Sequence, residues 1–251
     1  MRKLSKAVFL LVFFWLPFTL LGEINKRDGQ TIESLDIVDG VATSTLSKID
    51  GQTIASSSFP STNLVAFYKL DESSGADALD SSGNGYTFSD NGTVASTTGT
   101  IGGETVNVRS LDRPAGKYFS LADTAAFDVN DGEDFTISFW ASVSSSMGNF
   151  NTGGVFSKRN GVGASDAGYS IDLRRVNSDV YIRYNGVSDG TTTVGDTNAD
   201  TGIATDTFAH YMMVFTADAT LITYVNNAQY SSVDASSVTG SLANSMPNYI
   251  G

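Results

Sequence analysis

Residues 135–143 read Phe135-Thr136-Ile137-Ser138-Phe139-Trp140-Ala141-Ser142-Val143, and this stretch decides the fold class. Apolar side chains occupy every second position from Phe135 to Val143, while three of the positions between them are Thr or Ser. Because successive side chains of a strand point to opposite faces of a sheet, this period of two predicts a strand that lines a core.

Similar runs, separated by turns rich in Gly, Asn, Asp and Ser, continue on both sides of this strand. They predict further strands at residues 64–70, 118–121, 154–158, 169–174, 180–184, 210–216 and 221–225. Many short strands at close spacing are typical of a sandwich or a barrel. The fold class that follows is all-β.

Composition narrows the function classes. The chain has 27 acidic and 15 basic residues and a formal net charge of -12, which argues against nucleic acid as a partner. It has no cysteine, so disulfides and thiolate metal sites are excluded. The acidic loops have two interpretations: they keep the protein soluble, or they hold calcium.

The N-terminus has the order of a secretory signal. Arg2, Lys3 and Lys6 precede an apolar run over residues 7–21, and Gly22 follows it. The run is shorter than the roughly 20 residues that a membrane-spanning helix needs. We therefore predict a signal peptide at 1–22, no stable membrane span, and a protein that is secreted or held at the cell surface.

Three Asp-Gly pairs follow, at Asp28-Gly29, Asp39-Gly40 and Asp50-Gly51. Asp-Gly between short β-prone stretches is typical of a tight turn, because Gly accepts a positive φ. Such short repeats bury little apolar surface. The sequence therefore predicts a spacer of repeats and linker at 23–62, and one domain at 63–251.

Several motifs of this domain occur in an order that resembles one family. Leu64-Val65-Ala66-Phe67-Tyr68-Lys69-Leu70-Asp71-Glu72, then residues 134–140, then residues 221–227 are similar to successive elements of the laminin G-like jelly rolls, in the concanavalin A-like lectin/glucanase superfamily. Asn227 stands where that family usually has Gly in a tight turn. The resemblance implies a two-sheet antiparallel jelly-roll sandwich.

The resemblance also implies a further strand beyond Ile250-Gly251. We therefore expect the domain to be C-terminally incomplete here and to continue into a longer chain with further domains. On this interpretation, residues 64–70 are partly unpaired on one side, since the final strand would return beside them.

By resemblance, the function is that of an extracellular binding or adhesion module for a glycan or another cell-surface or matrix ligand, with carbohydrate the leading ligand class. Two alternatives stay open: a structural module of a surface appendage or fibre, and an accessory domain of a secreted carbohydrate-active enzyme. The candidate ligand-binding residues are Tyr181 and Arg183, which share one predicted strand face, and the aromatic Trp140.

Catalysis is not predicted. A glycoside hydrolase needs two carboxylates that flank the scissile bond. None of the five glutamates is paired with another acid at that spacing inside a predicted strand. His210 is the single histidine, and no Gly-x-Ser-x-Gly motif accompanies it, which favours a structural ring.

Calcium is the one cofactor that the sequence suggests. Asp71, Asp80 and Asn84 bring side-chain oxygens to glycine-containing turns, and calcium prefers six to eight oxygen ligands. The competing interpretation is that these residues form turns through bonds to their own backbone.

Overall fold

The strand predicted at residues 135–143 is one of the central elements of a sandwich. The computed structural model describes residues 63–112, 115–159 and 166–251, together with the paired segments 6–7, 37–38, 41–42, 48–49 and 52–53. The strands, in chain order, are β1 (Lys6–Ala7), β2 (Ile37–Val38), β3 (Val41–Ala42), β4 (Lys48–Ile49), β5 (Gln52–Thr53), β6 (Ser89–Asn91), β7 (Ala95–Ile101), β8 (Glu104–Ser110), β9 (Tyr118–Leu121), β10 (Phe135–Ala141), β11 (Thr152–Lys158), β12 (Gly168–Val176), β13 (Asp179–Ser188), β14 (Thr193–Ala204), β15 (Ala209–Thr216), β16 (Thr220–Val225), β17 (Ala228–Asp234) and β18 (Asn248–Ile250).

Two sheets form the body of the domain. Their strand orders are β1-β10-β15-β16-β17 in the five-stranded sheet and β14-β13-β12-β11-β18-β9-β6 in the seven-stranded sheet. Every pair within them is antiparallel except β1 with β10. The predicted all-β, two-sheet antiparallel sandwich is therefore confirmed.

The core lies between the two sheets. Phe135, Ile137 and Phe139 of β10 are buried, as the period of two predicts. The Phe135 ring lies 4.7 Å from the Tyr169 ring of β12 in the opposing sheet. The Tyr169 hydroxyl donates to the carbonyl of Phe127 at 2.7 Å, so the ring's polar end is satisfied inside the core.

Two buried cations connect loops to the sheets. The side chain of Lys158, at the end of β11, is 0% exposed, and its ammonium lies 2.5 Å from Asp123 and 3.2 Å from Asp128. The same ammonium donates to the carbonyls of Asn244 and Met246 at 3.2 and 3.4 Å. One lysine thus joins two loops that are far apart in the chain.

Arg109 of β8 is the second buried cation. Its guanidinium donates to the carbonyls of Glu72, Ser73 and Ala76, and to the Asp90 carboxylate at 3.2 Å. It also lies over the Phe119 ring, 5.1 Å from the ring centre. This side chain joins β8 to the loop after residue 71, and the amide of Ser96 in β7 adds a bond to Ser74 Oγ of the same loop at 2.8 Å.

Residues 14–62 form a second unit, separate from residues 63–251. Within it, Val38 pairs with Val41 and Ile49 pairs with Gln52, so two Asp-Gly pairs are each flanked by a short antiparallel ladder. All three Asp-Gly pairs and, apart from Lys6–Ala7, the predicted signal peptide lie outside the described residues.

The strand expected at residues 64–70 does not form. Ala66, Tyr68 and Leu70 are buried, as the alternating pattern requires, but isolated bridges, one of them between Tyr68 and Asp80, are present in place of a ladder. The backbone of Phe67 instead bonds the Asp80 carboxylate and the amide of Ser81. The prediction was right about burial, whereas the predicted strand does not form, because side-chain and turn bonds take the place of a ladder.

Across the part of the chain that the structure describes, no helix is long and apolar enough to cross a bilayer.

Candidate binding surface

The predicted ligand-binding residues lie on two different faces. In β13, Val180 and Ile182 are buried in the core, so Tyr181 and Arg183 point to the outer face of the seven-stranded sheet, where both are half-buried. Trp140 follows the buried Phe139 of β10 and points to the outer face of the five-stranded sheet. The three residues therefore do not share one site.

A row of side chains crosses the outer face of the seven-stranded sheet at Tyr181. The register pairs Thr152 of β11 with Arg174 of β12, Arg174 with Tyr181, and Tyr181 with Asp200 of β14. Directly opposite residues have Cβ atoms about 5 Å apart, so these four side chains are contiguous. Together with Arg183, we call this set the β13 face.

Two bulges adjoin the β13 face. The ladder with β14 shifts register between Val180 and Tyr181, and the ladder with β12 shifts between Asp172 and Leu173, opposite Arg183. Bulges bend a strand and re-aim its side chains, and they are frequent next to functional sites. The local geometry around Tyr181 and Arg183 therefore differs from that of a regular sheet.

Tyr181 is a hydrogen-bond donor at neutral pH. Local desolvation and the Asp200 carboxylate, which accepts its hydrogen bond, raise the pKa of the Tyr181 phenol. The hydroxyl therefore stays protonated, and its ring is held in place from one end.

Phe150 lies in the loop that precedes β11 and combines large exposure with a left-handed backbone. It is 59% exposed and its φ is +65°. A bulky residue in the left-handed region is rare, since its Cβ crowds the backbone, and the conformation costs about 1–3 kcal/mol. Phe150 lies two residues before Thr152, the residue at one end of this row.

The loop that carries Phe150 is held firmly. The amide of Phe150 donates to the carbonyl of Arg175 at 2.8 Å, and the amide of Arg175 donates to the carbonyl of Asn151 at 3.2 Å. The Arg175 side chain donates to the carbonyl of Met147. Asn149 and Asn177 exchange two hydrogen bonds of 3.1 and 2.7 Å. The strained backbone is therefore imposed by its surroundings.

Sequence reasoning missed Phe150 and Arg174. Phe150 is an aromatic residue inside the polar stretch 144–151, and that contrast is the one signal that could have indicated it. Its exposure and its positive φ depend on Arg175 and Asn177, which are distant in sequence.

On the outer face of the five-stranded sheet, the side chains of Trp140, His210 and Ser138 lie close together. The Trp140 and His210 rings lie 5.5 Å apart, and His210 Nε2 lies 2.7 Å from Ser138 Oγ. A serine beside a histidine suggests a nucleophile and its base, but Ser138 is only 2% exposed. The pair therefore has the geometry of a buried hydrogen bond rather than that of a site open to substrate.

His210 makes the stability depend on pH. Burial lowers the pKa of His210 and outweighs the opposing effect of its hydrogen bond with Asn227. The unfolded chain therefore binds the proton first, and the free energy of unfolding falls as pH drops through 6.5. We expect urea unfolding to show this loss between pH 7.5 and 5.5. His210→Gln should abolish it, since the chain has no other histidine, and an unchanged loss in that variant would contradict the assignment.

The three predicted calcium ligands have definite positions. The Asp80 carboxylate accepts hydrogen bonds from the backbone amides of Phe67, Ser82 and Tyr86 at 2.8–3.0 Å. Although partial burial acts to raise its pKa, these bonds together with the Ser82 hydroxyl hold the pKa of Asp80 below its ordinary value. The geometry supports the turn-forming interpretation for this residue.

Asn84 and Asp71 add little to a metal site in this structure. The Asn84 amide nitrogen donates to the carbonyls of Leu64 and Val65 at 2.9 Å, while Asp71 is exposed. Within residues 63–112, 115–159 and 166–251, no group of three or more acidic or histidine side chains is close enough to hold a metal ion. Calcium binding stays a prediction.

The variant Asp80→Ala separates the two interpretations. We expect it to lower the thermal midpoint equally in calcium and in chelator, because three backbone amides lose an acceptor, at roughly 1–3 kcal/mol in total. Calorimetry checks this. A wild-type midpoint that rises with calcium, and a variant midpoint that does not, would instead show that Asp80 holds the ion.

Comparison with known proteins gives information on the fold alone. No protein-family model matches the chain, and no curated protein matches it in sequence. The binding domain of Paraclostridial Mosquitocidal Protein 1 is similar in structure, with 15% identity and a TM-score of 0.54 over 72% of this chain and 44% of that one. The botulinum neurotoxin serotype D binding domain has 12% identity and a TM-score of 0.48 over 69% and 40%.

This chain spans less than half of the length of either neighbour. At such identities the likeness concerns architecture, and it agrees with the β-sandwich described above. The laminin G-like assignment is not established by it and stays a prediction. This chain is thus similar in fold to part of the binding domain of Paraclostridial Mosquitocidal Protein 1.

Proposed function

We propose that this protein is an extracellular, laminin G-like binding module, and that it binds carbohydrate at the β13 face with Phe150 as an aromatic anchor. The predicted signal peptide and the absence of paired catalytic glutamates in the sequence support this over an enzyme. The first neighbour is itself described as a binding domain.

Phe150 is the observation that carries the proposal. The Phe150 ring is 59% exposed, and contact between apolar surface and water is unfavourable. The backbone of Phe150 is strained as well. The loop bonds from Arg175 and Asn177 keep it in place despite both costs. Strain of this kind clusters at ligand-binding sites, where it presents a side chain in the geometry that the ligand needs.

The chemistry of the surface suits a sugar. Aromatic rings offer apolar area to the C–H face of a sugar, and Tyr181 and Phe150 supply two of them. Arg174, Arg183 and Asp200 supply donors and acceptors that match hydroxyl groups. Charges of both signs occur within the row, which suits a polar ligand better than an apolar one.

Binding measurements on single variants test the proposal. A glycan array on the mature protein identifies a ligand, and titration calorimetry then gives its Kd. We expect Phe150→Asn and Tyr181→Ala each to weaken binding tenfold or more, about 1.4 kcal/mol, as loss of an anchoring aromatic does. Trp140→Ala is the matched control, because Trp140 lies on the opposite outer face.

Phe150→Asn also has a signature that a structural residue would not give. Asn tolerates a positive φ better than Phe does, so the variant should unfold at the same or a higher temperature while it loses binding. If Phe150→Asn and Tyr181→Ala keep full affinity and Trp140→Ala loses it, the site is on the five-stranded sheet and the proposal is wrong.

A further inference from the structure

The two aromatic residues of the proposed site lie on either side of β12. The register pairs Tyr181 of β13 with Arg174 of β12. On the other side of β12, the amide of Phe150 donates to the carbonyl of Arg175, so the backbone of Phe150 continues the line of β11. Neighbouring strands lie about 4.8 Å apart, which separates the backbones of Phe150 and Tyr181 by roughly 10 Å.

Arg174 lies between these two aromatic residues. Leu173 is buried in the core, so Arg174 points to the outer face, where it is half-buried. One pyranose ring adds to a linear glycan a length similar to the spacing of two strands. A single sugar therefore reaches one of the two aromatic side chains, and a longer chain is needed to reach both.

The row formed by Thr152, Arg174, Tyr181 and Asp200 is open at both ends. Its first and last residues, Thr152 and Asp200, are exposed, whereas the two residues between them are half-buried. The four residues lie on four successive strands, so the row spans three strand spacings, or about 14 Å. A ligand that lies along the row can extend past either end of it.

Each strand along the row contributes a hydrogen-bonding group. These are the hydroxyl of Thr152, the guanidinium of Arg174, the phenol of Tyr181 and the carboxylate of Asp200. Asp200 is held in place, because it accepts hydrogen bonds from the Tyr181 phenol and from the amide of Gly202. Polar groups repeated at the strand spacing suit a ligand whose own hydroxyl groups repeat at a similar distance.

We propose, on the basis of the function proposed above, that the ligand is a linear glycan of which an internal stretch of about three sugar residues binds across strands β11–β14. One sugar packs on Tyr181, between Arg174 and Asp200. The next sugar lies over Arg174, and a third reaches Phe150. The site then recognises repeating internal units of a chain and not the terminal sugar of a branched glycan.

Titration calorimetry against linear oligosaccharides tests this proposal. The probes are chains of one to six residues from cellulose, xylan, mannan, chitin and alginate. For the series that binds, we expect the Kd to fall about 100-fold from one residue to four, because linked sugars bind in one event, and to change less than about twofold beyond four. Chemical reduction of the chain end should leave the Kd of the hexasaccharide unchanged, since that end lies outside the row.

The variants give a second readout. Because Tyr181 has Arg174 on one side and Asp200 on the other, a disaccharide should bind there, and Tyr181→Ala should weaken the disaccharide and the hexasaccharide alike. Phe150→Asn should weaken the hexasaccharide about tenfold and leave the disaccharide unchanged. Trp140→Ala, on the opposite outer face, is the control and should change neither.

The proposal is overturned if none of the five series binds, if a single sugar binds as tightly as the hexasaccharide, or if reduction of the chain end abolishes binding. Losses of affinity in Phe150→Asn and Tyr181→Ala that are equal at every chain length also overturn it, and they leave the β13 face as the site of a short ligand. Full affinity of both variants at every length would contradict the β13 face and the linear ligand together.

Discussion

Replacing Lys158 with Met is expected to lower the free energy of unfolding by about 3 kcal/mol. The side chain of Lys158 is fully buried, and its ammonium donates to the Asp123 carboxylate and to two backbone carbonyls. It also forms an ion pair with Asp128. Met fills a similar volume but removes both the donor and the positive charge. Asp123 is partly hydrated, which keeps the loss at the lower end of the range for broken buried ion pairs.

Urea unfolding measures this loss. Lys69→Met is the matched control, because Lys69 is exposed and its replacement should change stability by less than about 0.5 kcal/mol. Adding Asp128→Asn to Lys158→Met should recover part of the loss, since it removes one unpaired charge. A Lys158→Met protein as stable as the wild type would contradict the assigned role of this ammonium.

Arg109→Met is expected to cost about 3–5 kcal/mol, because it removes one guanidinium from three carbonyls and from the nearly buried Asp90 carboxylate. The stacking over Phe119 is lost as well. Chemical denaturation gives the number, and amide exchange of residues 72–76 should rise together with it.

Two further variants sharpen the test of Arg109. Arg109→Lys keeps the charge but not the planar fork, so its stability should fall between that of the wild type and that of Arg109→Met. Glu104→Gln, at an exposed position of the same β8 strand, should be neutral. If Arg109→Lys matched the wild type, the charge alone would matter and the geometry of the guanidinium would not.

The strands with a regular apolar period were predictable, and those with a polar sequence were not. β10 and β9 follow from alternation, since their inward positions are apolar. β14 contains Asp and Gly at several positions and resembles a loop, yet it pairs with β13 over most of its length. Pairing with an existing neighbour satisfies its backbone, and this tertiary effect overrides local preference.

The candidate site also contains residues that the sequence predicted and residues that it did not. The outward direction of Tyr181 and Arg183 follows from the buried Val180 and Ile182, and it was predicted from the same alternation. Phe150 was not predictable, because its left-handed backbone is held by bonds to Arg175 and between Asn149 and Asn177, and these partners are distant in sequence. A tight turn, by contrast, is determined by the residues that form it. Asn226 and Asn227 have φ values of +49° and +65°, and a tight turn was expected at Asn227.

A crystal structure of the mature protein with its tightest glycan from the array would test the central claim most directly. We predict that a sugar ring lies in van der Waals contact with Phe150 or Tyr181, within about 4 Å, and that Arg174 or Arg183 donates to its hydroxyl groups. A glycan bound beside Trp140 and His210, or at the loops of the other end of the sandwich, would contradict the assignment of the β13 face.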